Sequence, residues 1–156
     1  MNKKYTALLV FAAMLFWTCQ HTVADLTSLK DTFSSRNGSN ESRGMDGDCG
    51  SCHEHKSGSQ KITLGGTLYK ADKSTLYKNG GVINLYSQSG GQGTLLKTIQ
   101  VDNVGNFYSN ANYILSTPYY VEVVSAAGDT MYMGQSLANG SCGSCHGKTT
   151  DNIFVK

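Results

Sequence analysis

Apolar and polar residues alternate in short runs through the middle of the chain, and breaks rich in glycine or asparagine separate these runs. Alternation with a period of two predicts β-strands that bury one face. The predicted strands cover residues 62–69, 82–87, 95–101, 106–109, 119–125 and 130–133. Short strands at this spacing predict a mainly β fold, a small antiparallel β-sandwich over residues 62–134.

The same alternation predicts which side chains face the interior of the sandwich. Residues two apart on a strand share a face, so an apolar pair on one strand marks its buried side. The core candidates are Ile83 and Leu85, Ile99 and Val101, Val121 and Val123, together with Phe107.

The N-terminus has the organisation of a secretory signal over residues 1–24. Lys3 and Lys4 form a basic start, residues 7–17 are apolar, and Thr-Val-Ala at residues 22–24 provides a small-residue cleavage site. The apolar stretch is too short to span a bilayer, so we expect no membrane span. A lipid anchor on Cys19 is an alternative, although residues 16–18 lack the small side chains expected before such a cysteine. We therefore expect an exported protein, in the periplasm or at the cell surface.

The composition of the mature chain narrows the possible functions. The full chain has 13 Lys and Arg against 11 Asp and Glu, and loss of Lys3 and Lys4 with the signal leaves equal numbers. A chain without excess basic charge has no electrostatic footprint for nucleic acid. Cysteines of exported proteins are normally oxidised to disulfides or hold a cofactor, so the four mature cysteines need such a role.

These four cysteines form two copies of one motif, CGSCH at residues 49–53 and at residues 142–146. In a CxxCH motif the two thiols add to the vinyl groups of one haem, and the following histidine binds the iron from the proximal side. The motifs therefore predict two haem c groups, one in an N-terminal linker segment, residues 25–61, and one in a C-terminal segment, residues 135–156. The predicted attachment sites are Cys49, Cys52, Cys142 and Cys145, and the predicted proximal ligands are His53 and His146.

Other uses of paired cysteines explain the pattern less well. A zinc site of four thiolates has no need for a histidine after each pair, and the two pairs lie far apart in the chain. Two CxxC disulfides are chemically possible, but a thioredoxin-like motif needs a βαβ context that the pattern lacks. An iron–sulfur cluster would also leave the histidines without a role.

The mature chain has too few histidines to give each haem two of its own. Of the four histidines, His21 leaves with the signal, so His55 is the one distal candidate beside the two proximal ligands. Two residues span at most about 7 Å of backbone, so His55 cannot easily reach the opposite face of the haem beside His53. The sequence of residues 52–55, CHEH, resembles the CxxCHxH pattern of multihaem cytochromes, which implies that His55 binds the iron of the other haem, in the same chain or in a neighbouring subunit. The alternative is an exposed His55 with no bond to iron.

One axial position is left unassigned. The soft donors of the mature chain are Met45, Met131 and Met133, and a thioether ligand would raise the potential of its haem. Met131 and Met133 alternate within a predicted strand and so share a face, where core packing is their ordinary role. An amine ligand, a ligand from another subunit and an open site are the other solutions.

The strand region resembles the carboxypeptidase-regulatory-like, transthyretin-like β-sandwich family. The resemblance covers about half of the chain and rests on GTLY at residues 66–69, GVINLY at 81–86, DNVGNF at 102–107 and YYVEV at 119–123. It implies a sandwich that serves as a structural or binding module rather than a catalytic one.

Together these features predict an electron carrier rather than an enzyme. We expect an exported dihaem c-type cytochrome whose partners are other redox proteins or extracellular electron acceptors. If the two haem segments meet, His55 can bind the second haem within one chain; if they lie apart, His55 of one subunit can bind the haem of the next and build a filament. A haem enzyme or gas-responsive protein with an open axial site is the alternative, and a structural or adhesive surface protein is a third.

Overall fold

The structure, a computed structural model, describes residues 33–40, 42, 49, 53, 61–78, 80–111, 118–137 and 139–156. The predicted signal, with Cys19, lies outside the described residues. So do three predicted site residues, Met45, Cys52 and His55.

Each predicted strand is present, with small shifts at the ends. The strands are β1 Leu64–Thr67, β2 Val82–Gln88, β3 Gln92–Gln100, β4 Asn106–Ser109, β5 Tyr120–Val124 and β6 Thr130–Tyr132. Strand β3 begins at Gln92 rather than at residue 95 because the hairpin turn before it is tight. Gly90 and Gly91 both take a φ of +71° there, a left-handed conformation that glycine adopts at little cost.

The strands form two antiparallel sheets, which confirms the prediction of a mainly β fold. Strands β1 and β4 make a two-stranded sheet, and the other sheet has the order β3-β2-β5-β6. In the small sheet Gly66 lies opposite Phe107. In the large sheet Ile83 lies opposite Ile99 on one side and Val123 on the other.

One hydrophobic core joins the two sheets. Ile83, Leu85, Ile99, Val101 and Phe107 are at most 1% exposed, and Val123 is also buried, as the alternation predicted. Val121 is half-buried and packs against the edge of this core. Leu64 and Leu68, from β1 and the residue after it, complete the contact between the sheets.

The C-terminal tail adds a further buried residue. The amide of Tyr69 donates to the carbonyl oxygen of Ile153 at 2.8 Å, and the amide of Val155 donates to the carbonyl oxygen of Tyr69 at 3.1 Å. The side chain of Val155 is fully buried in the core. Further back, the amide of Gly65 donates to the carbonyl oxygen of Gly140 at 2.9 Å. The second CGSCH motif is therefore a loop whose two ends are both attached to β1 and the residues that follow it.

The N-terminal part of the described chain covers the outer edge of β4. The amide of Ser35 donates to the carbonyl oxygen of Tyr108 at 2.9 Å, and the amide of Asn110 donates to the carbonyl oxygen of Phe33 at 3.0 Å. The rings of Phe33 and Tyr108 pack with their centroids 5.0 Å apart. Within the described residues, no helix has the length and apolar character needed to cross a membrane.

Candidate cofactor site

Two consecutive glycines in β1 bring the two CGSCH motifs together. A Cβ atom added to Gly65 would lie 3.0 Å from the Cβ atom of Cys49, and one added to Gly66 would lie 2.9 Å from the Cβ atom of Cys142. Successive residues of a strand face opposite sides of the sheet. The first cysteines of the two motifs therefore contact opposite faces of one strand.

This arrangement limits the distance between the two motifs. Consecutive Cα atoms are 3.8 Å apart, so the contacts at Gly65 and Gly66 place the Cβ atoms of Cys49 and Cys142 at most about 13 Å from each other. The two motifs lie far apart in the sequence, and the fold makes them neighbours.

The second motif forms a tight helical turn. Cys142–Ser144 is a 3-10 helix, and the amide of His146 donates to the carbonyl oxygen of Cys142 at 3.0 Å. The hydroxyl of Ser144 donates to the carbonyl oxygen of Ser141 at 2.6 Å, which closes the start of the turn. The amide of Cys145 also donates to the carbonyl oxygen of Cys142, at 3.2 Å, so the motif closes into a turn with His146 at its end.

The imidazole of His146 is oriented by the main chain. Its Nδ1 atom lies 2.7 Å from the carbonyl oxygen of Asp151. Because a carbonyl oxygen only accepts hydrogen bonds, Nδ1 carries the hydrogen in this contact and Nε2 keeps its lone pair. A histidine ligand of a metal commonly donates its second ring N–H to a carbonyl group, which fixes the ring and its tautomer. The Nε2 atom of His146 therefore carries the lone pair that a histidine ligand of a metal uses.

The loop after His146 places the Asp151 carbonyl beside the Nδ1 atom of the ring. Gly147 takes a φ of +79°, and its amide donates to the carbonyl oxygen of Thr150 at 2.9 Å. The amides of Lys148, Thr149 and Thr150 all approach the carbonyl oxygen of Cys145, at 2.9–3.1 Å. These bonds fold residues 147–150 into a compact turn that returns the chain towards His146.

A second set of contacts fixes the far end of this loop. The carboxylate of Asp151 lies 2.6 Å from the ammonium of Lys73, and the side-chain amide of Asn152 donates to the carbonyl oxygen of Lys73 at 2.9 Å. The Lys73 ammonium also lies 4.8 Å from the centre of the Phe154 ring. The turn after β1 therefore supports the residue that orients His146.

A cavity of about 200 Å³ lies beside His146. Thr67 and Tyr69 form its wall on the β1 side, and Ile153 and Asn152 form its wall on the tail side. His146 is half-buried at this cavity, whereas Cys145 is exposed at the surface. The imidazole of the second motif therefore faces this cavity, and neither Cys142 nor Cys145 is among the residues that line it.

Two residues of the first motif are described, Cys49 and His53. Both have helical backbone, and both are half-buried.

The two methionine candidates lie away from the cavity beside His146. Met131 is in β6 opposite Val123, and the amide of Met133 donates to the carbonyl oxygen of Val121 at 2.9 Å. Both are half-buried and pack against the core. The described residues that line the cavity include neither methionine. Ligation of iron by either one stays a prediction.

The sequence analysis did not identify four residues as part of the site: Gly65, Gly66, Gly140 and Asp151. A pair of glycines inside an apolar strand is a recognisable sign that another group approaches the backbone closely. Asp151 had no such sign, because it acts through its main-chain carbonyl. Gly140 had none either, since its role depends on a contact with the distant Thr63.

Comparison of the chain with models of known protein families, with curated proteins and with solved structures finds no match.

Proposed function

We propose that the protein is an exported dihaem c-type cytochrome that transfers electrons in the periplasm or at the cell surface. The observation that carries the proposal is the orientation of His146 within the second CGSCH motif. Its Nδ1 atom is engaged by the Asp151 carbonyl, which leaves Nε2 for an axial metal bond. An identical motif at residues 49–53 supports a second haem.

The residues of the second motif fit a covalently attached haem. Cys142 is half-buried against the core, Cys145 is exposed, and His146 lies at the cavity beside the tail. Cys142 and Cys145 would form the two thioether bonds, and His146 would be the proximal ligand. Cys49, Cys52 and His53 would hold the other haem in the same way. A bound haem supplies one-electron redox chemistry at its iron.

The meeting of the two motifs at β1 supports distal ligation by His55 within one chain. Cys49 and Cys142 contact adjacent residues of that strand, so the segment that carries His55 begins close to the second motif. A homopolymer that is built through His55 of a neighbouring subunit is the competing arrangement. The partners are other redox proteins or extracellular electron acceptors, and the sandwich would serve as spacer and docking surface.

Mass spectrometry of the exported protein tests the proposal directly. The protein is expressed with its own signal in a host that attaches haem c, and the intact mass is measured. We expect two covalent haems in the wild type and one in the double variant Cys142→Ala, Cys145→Ala. Cys19→Ala is the matched control, because we place this fifth cysteine in the removed signal, and it should keep both haems. A wild-type mass without haem would exclude the cytochrome.

Spectroscopy distinguishes the electron carrier from a haem enzyme with an open axial site. We expect low-spin ferric spectra for both haems, and no spectral change when carbon monoxide is added to the reduced protein. His55→Ala should convert one of the two haems to the high-spin form. Carbon monoxide binding by the wild type would favour the enzyme or gas-responsive protein.

A further inference from the structure

Strand β1 contains a local sequence that is costly for a strand. It is Leu64-Gly65-Gly66-Thr67, and all four residues are buried. Glycine in a strand interior is destabilising by roughly 0.5–1 kcal/mol relative to alanine, because the chain loses more entropy and gains no side-chain packing. Two such residues in succession indicate that other groups of the protein pack closely against both faces of β1.

The groups that fill both spaces are the first cysteines of the two CGSCH motifs. On one face, a Cβ atom on Gly65 would approach the Cβ atom of Cys49 to 3.0 Å and its Sγ atom to 3.3 Å. On the other face, a Cβ atom on Gly66 would approach the Cβ atom of Cys142 to 2.9 Å and Cζ of Phe107 to 2.7 Å. Each glycine thus receives a cysteine where another residue would have its own side chain.

The edges of β1 hold the same arrangement in place. One edge pairs with β4, which sets Gly65 opposite Tyr108 and Gly66 opposite Phe107. The other edge binds the chain just before the second motif, through the bond from the Gly65 amide to the Gly140 carbonyl oxygen and a parallel bridge to Ser141. With both edges and both faces occupied, Cys49 and Cys142 have fixed positions relative to each other.

We propose that Gly65 and Gly66 are positioning residues that hold the two haems of one chain as an electronically coupled pair. This inference rests on the proposed function, because it requires a haem on each motif. The attachment atoms are at most about 13 Å apart, a separation comparable with the width of one porphyrin. With their attachment atoms at that separation, we expect the two macrocycles to have interacting optical transitions and to exchange electrons within the chain.

Circular dichroism in the Soret region tests this coupling. Two interacting haems give a paired positive and negative band, whereas two independent haems give the sum of their separate spectra. The measurement uses the monomeric fraction from size-exclusion chromatography, with two haems verified by mass. The reference is the sum of spectra from two single-haem variants, one lacking Cys49 and Cys52 and the other lacking Cys142 and Cys145. We expect the paired band in the wild type and its absence in that sum.

Substitutions in β1 test the role of the glycines. Gly65→Ala should keep two haems and reduce the amplitude of the paired band at least two-fold, because Cys49 must move away. Gly134→Ala is the matched control, since an added Cβ atom there meets nothing within 4 Å and φ is not positive. Gly66→Ala also meets the Phe107 ring, so it is combined with Phe107→Leu to make room for the new methyl group.

The outcomes separate the two proposals. Two haems with a dichroism spectrum equal to the sum of the single-haem spectra would overturn the coupled pair and leave the cytochrome intact. An unchanged paired band in Gly65→Ala and in the Gly66→Ala, Phe107→Leu variant would overturn the role of the glycines. A wild-type protein without haem would overturn the proposed function itself.

Discussion

The Nδ1 atom of His146 and the carbonyl oxygen of Asp151 lie 2.7 Å apart, so the main chain holds this ring. The carboxylate of Asp151 is turned to the ammonium of Lys73 instead, at 2.6 Å. One residue therefore performs two tasks with different atoms. The conformation of the loop between His146 and Asp151, rather than the identity of residue 151, determines the orientation of the imidazole.

Gly147→Ala should change the orientation of the His146 ring, although it leaves the histidine itself in place. Gly147 has a φ of +79°, and an added Cβ atom would lie 2.6 Å from Oδ1 of Asn152. We expect a loss of about 1–2 kcal/mol in the free energy of unfolding, because alanine is strained at positive φ and the loop must open. Urea denaturation measures this loss. In the proposed cytochrome, the absorption spectrum of the haem on the second motif should shift as well, since the proposed proximal ligand is no longer held.

Asp151→Asn is the control for this prediction. It keeps the main-chain carbonyl and removes only an exposed ion pair, which is worth about 0–1 kcal/mol. The haem spectrum should stay as in the wild type. A spectrum that changes in Asp151→Asn and not in Gly147→Ala would show that the carboxylate, rather than the loop, orients the ring.

The strands were predictable because their signal is local. Alternation along β2 and β5 marked Ile83, Leu85 and Val123 as buried, and the structure confirms them. Strand β1 was predicted to extend over residues 62–69 but covers only Leu64–Thr67. The chain turns away after Thr67, where Tyr69 pairs instead with Leu76 and Phe154.

The meeting of the two motifs was not predictable from local pattern. It depends on contacts between distant segments, such as Gly140 with Gly65 and Val155 with Tyr69. The tail that carries Val155 has three consecutive apolar residues, 153–155, a run too short to give a strand signal. A hydrogen bond of the main chain, such as that of the Asp151 carbonyl, cannot be predicted from the residue type, because every residue has a carbonyl group.

Gly140→Ala should detach the second motif from β1. An added Cβ atom at residue 140 would overlap the carbonyl group of Thr63, and the bond from the Gly65 amide to the Gly140 carbonyl would break as the chain moves. We expect a loss of about 2–4 kcal/mol, in the range of overpacking combined with a lost buried hydrogen bond. Denaturation by urea measures it, with Gly134→Ala as control. Equal stability of the two variants would contradict the close packing of residue 140.

Phe107→Ala should be among the most destabilising single substitutions of the sandwich. The ring is 1% exposed and fills the space above Gly66. Truncation of a buried phenylalanine costs about 3–5 kcal/mol. Leu95→Ala is the matched control, because Leu95 is 48% exposed on β3 and should change stability by no more than about 0.5 kcal/mol. Similar losses in the two variants, as measured by thermal unfolding, would be inconsistent with a core centred on Phe107.

The turn that carries Lys73 should lose stability in acid through Asp72. The Thr75 hydroxyl, and then the amides of Thr75 and Ser74, donate to this carboxylate and hold its pKa at about 2, below the ordinary 3.8. Because the pKa is lower in the folded state, the stabilisation is complete above pH 3.8 and is lost as the pH falls towards 2. The wild type should therefore be more stable than Asp72→Asn by a constant amount near neutral pH. This difference in stability should shrink as the pH falls from 4 to 2. Thr75→Ala, which removes the largest contribution, should raise the pKa of Asp72 in an NMR titration. A difference that persists unchanged at pH 2 would contradict this assignment.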